Sequence, residues 1–320
     1  MTSPYDIEEI FPGDGVRLPR RQAGSSPQGL TVTLMADYTL GARAWLPSAA
    51  IVALLAEAGV SHAGARATTS RLARRGVLEA SRHGRNSSYR LTAAAAHNLA
   101  AGGRSIAAAA VGDRAWDRWW TLIAFSLPQE EVTRRRELRG LLRWLGHAPL
   151  YDGLWISPHD LTDKLRAQLV DLALGAMTVF RARHVDLGAT TGRAPLDAWD
   201  TAAIARRYEE FIERWSPLEA GIRDSRVTGV EAVRARTEVM DTYRRLPILD
   251  PGLPLDLLPP GWPRGRARDL FAAVYDGLAG PAQEHVRDVA RRFTTDPLAD
   301  VRAHTVADLL AGVPGGTGAR

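Results

Sequence analysis

Seven arginines and a single acid, Glu79, fall between Ser61 and Arg90. A guanidinium group carries a fixed positive charge and five N–H donors in a planar fork. That geometry grips phosphate oxygens or the major-groove edge of guanine. A helix running from Ser61 to Arg75 places Ala65, Thr68, Thr69 and Leu72 on one side. Ala63, Arg66, Ala67, Ser70, Arg71 and Arg74 fall on the other. Small residues let a helix approach a groove floor, and arginines beside them can fork onto a base edge or the backbone. Further along, Arg82, His83, Arg85 and Asn86 crowd one turn and supply donors for a neighbouring groove. Any one of these arginines, taken alone, fits a solvated face equally well. Together the pattern points to double-stranded DNA, held by Arg66, Ser70, Arg71, Arg74, Arg82, His83, Arg85 and Asn86.

The elements needed to position those side chains are legible around them. The stretch "GLTVTLMADYTL" forms a first helix, and Trp45 and Leu46 a short extended piece before Pro47. Ser48 is the expected N-cap of "AAIVALLAEA", whose Ile51, Leu54, Leu55 and Ala58 share a face, and Gly59 closes that helix. Ser61 caps the arginine helix and Gly76 ends it. "VLEASR" and "SSYRLT" then turn back on each other through the glycine of "HGRN". Helix, short strand, helix, helix, hairpin is the order of a winged helix-turn-helix, here over residues 29–92.

The rest divides into further blocks. Residues 1–28 are rich in Gly, Pro, Ser and charge and read as a mobile arm. Residues 93–115 read as an alanine-rich helical linker, broken near Gly102 and Gly103. Residues 116–187 show β-α-β-β-α-β order, a ferredoxin-like domain. Its first helix is marked by Leu138, Leu141, Leu142 and Leu145, its second by Leu161, Leu165, Leu169 and Leu172. Residues 195–311 read as a helical C-terminal domain, with Trp199, Ile204, Tyr208, Phe211, Ile212 and Trp215 on one helix face. Further helices are expected near 230–246, 266–278, 282–293 and 298–311. "LPILDPGLPLDLLPPGWPRG" holds too many prolines for a helix, and its leucines and Trp262 argue for a packed extended segment. Residues 312–320 read as a frayed tail. The fold class is therefore α+β and multidomain.

Composition narrows the function classes. At 320 residues the chain has room for two or three domains, and with Cys 0 it has no disulfides and no thiolate metal sites. A pI near 9.9 hints at an acidic partner, but Lys164 is the one lysine, and Arg and Ala enrichment of this kind often reflects genome base composition rather than function, so the placement of the arginines matters more than their number. No window approaches 18 uninterrupted apolar residues and no secretory signal is recognisable, so no membrane association and a cytoplasmic location are expected.

Four stretches together resemble the PaaX family, repressors of phenylacetic acid catabolism. They are "LMADYTLGARAWLPSAAIVALLAEAGVS", "ARATTSRLARRGVLEASRHGRNSSYRLT", "LRGLLRWLGHAPLYDGLWISP" and "RRLPILDPGLPLDLLPPGWPRGRARDLF". The resemblance implies that the central domain is Cas2-like. It also implies a homodimeric transcriptional repressor of a catabolic operon, bound to a pseudo-palindromic operator and released by an acyl-coenzyme A effector. Thr69 departs from it, at a position where a bulkier apolar residue is expected to face the core.

Similarity to Cas2 raises a metal-dependent nuclease as an alternative. "WTLIAFSLPQEE" places Ser126 where such an enzyme wants an acid, and Glu130 and Glu131 lie at a helix start, where acids favour the dipole. His159 and Asp160 in "SPHD" are adjacent and make no relay, and His159 reads as a turn residue. No HExxH motif, phosphate loop or G-x-S-x-G elbow is present. The chain is expected not to be an enzyme, with no catalytic residue, metal or cofactor assigned. An RNA-binding module using the same hairpin is a second alternative, without the aromatic strands of single-strand readers. For the effector the sequence offers "RRR" at 134–136 and an apolar cleft at Trp262, but a solvated run and ordinary core are the better readings, and no residue of its site stands out. Activation in place of repression is also open.

Overall fold

Ser26 and Ser61 each stand in extended backbone ahead of a helix, and each side chain accepts from the N–H three residues on, Gly29 and Gly64, at 3.1 Å. These two caps frame the N-terminal block: α1 (Pro27–Thr39), β1 (Leu46–Pro47), α2 (Ser48–Glu57), α3 (His62–Arg74), β2 (Leu78–His83) and β3 (Asn86–Leu91). The computed structural model describes residues 26–83, 86–109, 115–128, 130–161, 166, 169, 177–186, 188 and 193–312. Most of the arm expected at 1–28, the expected tail after residue 312 and most of the helix expected at Leu161–Leu172 lie outside the described residues, while Ser26, Pro27 and Gln28 open α1.

Helices α2 and α3 end alike. Gly59 (φ +83°) and Gly76 (φ +72°) take the left-handed conformation, and the next residues, Val60 and Val77, donate back to Leu55 and Leu72 at 3.0 Å. The expected Ser48 cap is corrected. Pro47 (φ −55°, ψ 137°) is the last extended residue, paired with Ser88, and helical backbone begins at Ser48 itself. The Ser48 hydroxyl therefore stands one position too late to cap. The strands form an antiparallel sheet in the order β1-β3-β2.

The chain falls into two compact units. The first comprises Gly112–Glu209 and Leu246–Arg264. Its β4 (Trp120–Phe125), β5 (Ala148–Tyr151), β6 (Leu154–Ser157) and β7 (Met177–Ala182) form an antiparallel sheet ordered β5-β6-β4-β7. On one face Ile123 and Trp155 pack with Leu138 and Leu142 of α5 (Val132–Trp144) and with Leu169. On the other, Trp120 meets Trp116 edge-on at 5.2 Å and stacks on Trp199 at 6.3 Å. Trp199 is thus corrected: it precedes α6 (Thr201–Trp215) and belongs to this sheet face, while Ile204, Tyr208, Phe211 and Trp215 form the buried stripe of α6. The Leu-Pro run is packed, with Leu246, Leu253 and Leu258 buried, though it includes a helical turn at Leu246–Leu249 and a 3-10 turn at Leu255–Leu257. The buried Asp250 carboxylate ties it down, accepting from Gly252 and Leu253 N–H, Tyr208 Oη and Arg264.

The second unit joins the N-terminal block to Glu210–Arg245 and Gly265–Arg320. Its helices include α7 (Leu218–Arg223), α8 (Gly229–Tyr243), α10 (Arg264–Gly277), α11 (Ala279–Arg291) and α12 (Val306–Ala311), the turn Leu246–Leu249 being α9. Phe211, Tyr243, Phe271 and Tyr275 form an aromatic ladder, with Tyr243 and Phe271 stacked at 4.0 Å. Only Val306–Ala311 of the helix expected at 298–311 is helical. The preceding residues pair elsewhere: Arg302 N–H donates to Tyr38 O, and Arg287 donates to the Val301 and Ala299 carbonyls. The break expected at Gly102 and Gly103 is absent, because α4 (Ala93–Ala109) runs through both. Gly103 instead faces Leu309 of α12, where a Cβ would stand 3.0 Å from Leu309 Cδ2. Glycine serves close helix approach there. Among the described residues no helix is long and apolar enough to cross a membrane.

Candidate nucleic-acid interface

Helix α3 packs against α1, α2 and β2. Its buried residues are Ala65, Thr68, Thr69 and Leu72, as the wheel demands. Thr69, shorter than a core position there would favour, fits because its hydroxyl donates within the helix, towards Arg66 O at 3.0 Å and Ala65 O at 3.3 Å. Arg66, Ser70, Arg71 and Arg74 are exposed, as are Ala63 and Ala67. Arg71 reaches only the Thr68 hydroxyl, at 3.4 Å, and among the described residues Arg66 and Arg74 meet no carboxylate. Arg75 turns away, towards Gln28 at the start of α1.

The β2-β3 hairpin brings a second cationic element beside α3. Register runs from Leu78↔Leu91, both buried, to His83↔Asn86. Arg82, opposite Ser87, is exposed. Arg85 lies outside the described residues, as do the side chains of His83 and Asn86. Thr92 anchors the hairpin base: its hydroxyl donates to Gly76 O at 2.7 Å and accepts from Ala95 N–H, capping α4.

The lone acid of the window is already spent. Glu79 accepts from Arg90, its cross-strand neighbour, at 2.5 Å and pairs with Arg43, whose Nε holds the Leu91 carbonyl. Arg90 also lies over the Trp45 ring at 4.4 Å. No local pattern in the sequence marks these contacts, since Arg43 lies 36 residues from Glu79 and Trp45 pairs with Arg90 of β3. With Glu79 taken up by Arg43 and Arg90, the exposed arginines of α3 face no carboxylate among the described residues.

Among the other candidate groups, Glu131, Arg135 and His159 have partners within the fold. Ser126 is exposed, and Glu131 pairs with Arg134 at 3.5 Å. Arg135, central in the arginine run, donates to the Leu127 and Pro128 carbonyls ahead of its own helix. His159 Nε2 bonds Pro251 O at 2.7 Å, and its carbonyl accepts from Thr121, so it staples a turn. Trp262 is half-buried. Among the described residues no group of three or more His, Asp or Glu is placed to hold a metal ion.

A basic helix and hairpin on an α-helical block, an antiparallel α+β sheet and a helical C-terminal region define a mixed α+β chain in three segments. Each segment matches a family model: PaaX-like protein over residues 26–95, PaaX protein central Cas2-like domain over 113–194, and PaaX-like protein C-terminal domain over 199–288. The chain belongs to the PaaX family. It is similar to the transcriptional repressor PaaX of Escherichia coli (strain K12), 27% identical over 256 residues, which cover 78% of each chain. Among solved structures, the uncharacterized protein Rv0674 from Mycobacterium tuberculosis shares the fold, with a TM-score of 0.54 and 21% identity over 84% of this chain and 97% of that one.

Proposed function

We propose that this protein is a sequence-specific DNA-binding transcriptional repressor, with the N-terminal block acting as a winged helix-turn-helix. The observation that carries the reading is the division of α3: a buried stripe of Ala65, Thr68, Thr69 and Leu72 against an exposed one of Arg66, Ser70, Arg71 and Arg74. Exposed alanines beside the arginines let such a helix enter a major groove about 12 Å wide. Hairpin β2-β3, with Arg82 exposed and Arg85 between its strands in the sequence, is the wing. Likeness to a transcriptional repressor over 78% of the chain supports the same role. The reading carries with it a protein that is not an enzyme and works in the cytoplasm.

The finer reading is a homodimer on a pseudo-palindromic operator, with half-sites one helical turn, about 34–36 Å, apart. The family resemblance motivates an acyl-coenzyme A thioester as the releasing ligand. Release requires that the ligand favour a geometry unfit for DNA. Footprinting of the gene's upstream region at moderate ionic strength tests both levels. The expected result is a protected two-fold site that random duplex and duplex RNA fail to compete away, and that an aromatic acyl thioester opens. Equal affinity for random sequence would sink the repressor reading.

A further inference from the structure

Glu57 occupies the last turn of α2, which has no basic residue. A negative charge there opposes the helix dipole, so its place needs another reason. Two side chains from other helices supply one. His285 of α11 meets the Glu57 carboxylate, Nε2 to Oε2, at 2.8 Å, and both side chains are largely covered, 16% and 26% exposed. Arg234 of α8 donates from Nη2 to the Glu57 backbone carbonyl at 3.1 Å. That carbonyl is one of the four at a helix end with no partner inside the helix. Helices α8 and α11 pack on each other, and α11 packs on α2, so the two side chains extend from one support.

The grip falls at a sensitive place. Ala58, Gly59 and Val60 follow at once, and Ser61 is the N-cap of α3. Any rotation of the α2 terminus passes through this turn to the arginine-bearing helix. We infer that Arg234 and His285, on helices that carry none of the candidate DNA contacts, are positioning residues for α3, holding the α2–α3 turn through Glu57. The inference rests on the proposed DNA-binding role of α3. It adds that the C-terminal helices fix the angle at which α3 is presented.

Full-length Arg234→Ala, His285→Ala, the double variant and His285→Gln, whose amide keeps a donor, are compared by operator titration, random-duplex titration, thermal unfolding and hydrogen exchange. A charge-assisted hydrogen bond lost at the turn is expected to weaken operator binding about tenfold in the double variant. Affinity for random duplex, which depends on charge and not on presentation, stays within about twofold. Amides 58–64 exchange faster while the unfolding midpoint of the protein holds, and His285→Gln recovers most of the loss seen in His285→Ala. Wild-type exchange at 58–64 in the double variant overturns the inference, and so does a loosened turn with undiminished operator affinity. Operator and random-duplex affinity falling together with the unfolding midpoint overturns it too. A wild-type protein without operator preference sinks the repressor reading instead, and the exchange data then decide by themselves whether Glu57 is held.

Discussion

The Arg236 guanidinium lies 3.6 Å from the centre of the Tyr275 ring and donates to the Tyr275 carbonyl. It also donates to the His304 carbonyl, and it is fully buried. Tyr275 in turn donates its hydroxyl to Asp37 of α1 at 2.8 Å. A chain of polar contacts thus runs from the helix that supports α3 to the C-terminal helices of the same unit.

Arg236→Met should destabilise this unit by about 3–5 kcal/mol, because it strands two carbonyls and removes the cation beside a buried carboxylate. Asp37→Asn keeps an acceptor for Tyr275 and sheds the charge that burial disfavours, so it should cost less. Urea unfolding followed by circular dichroism ranks the two. An Arg236→Met protein as stable as wild type would show that the buried cation contributes nothing net.

Two buried histidines give the protein an acid-sensitive stability. Burial lowers His304, in the second unit, and His147, in the first, from 6.5 to about 4. Between about pH 6.5 and 4 the unfolded chain takes up protons that the folded chain refuses. Stability present near neutrality is therefore lost as the pH falls, by up to about 3 kcal/mol for each histidine. Asp37 acts the other way: burial raises it, so its protonation above pH 3.8 returns some stability on acidification. The urea midpoint should fall from pH 7 to pH 5, and fall less in His304→Gln. Equal falls in both proteins would remove His304 from the effect.

Helix α3 was legible because everything that defines it is local. Ser61, Gly76 and the spacing of Ala65, Thr68, Thr69 and Leu72 lie within sixteen residues and act through caps and period alone. The grip on the α2–α3 turn was not legible. Arg234 and Arg236 look alike in sequence, yet one is exposed and the other fully buried. What separates them is partners 39 to 177 residues away. The same holds for residues 299–305, whose backbone groups bond Tyr38, Gln283 and Arg287 in place of helical neighbours. Local rules place an element's type and face; they cannot see a carbonyl claimed by another helix.

Neighbouring glycines in α4 should respond oppositely to substitution. Nothing lies within 4 Å of a Cβ built at Gly102, so Gly102→Ala should stabilise by about 0.5–1 kcal/mol through helix propensity. At Gly103 the Leu309 side chain must give way. Gly103→Ala should lose most of that gain, and Gly103→Val should destabilise by about 1–3 kcal/mol through overpacking. Thermal midpoints for the three variants decide it. A stabilising Gly103→Val would mean that α4 and α12 are not closely packed in solution.

The arginines of the proposed interface should separate by role. Arg71 stands in the last turn of α3, on the same exposed face as Ala67 and Arg74, and the small Ala67 beside it lets that face approach a groove floor. If it reads guanine, Arg71→Ala costs about 1–3 kcal/mol on the operator and relaxes preference at one base pair, leaving random-duplex affinity nearly intact. Arg82 lies on the strand leading to the hairpin connection, beside which a neighbouring backbone would pass. Arg82→Ala should weaken all sequences alike and reduce the slope of log K against log salt by about 1, and Arg85→Ala should do the same. Operator titrations over a range of salt, with single-base variants of the site, distinguish the two patterns. A uniform loss from Arg71→Ala would reassign that residue to phosphate and move base reading to Arg66, Ser70 or Arg74. Unchanged affinity in all of these variants would mean that α3 is not the helix that enters the groove.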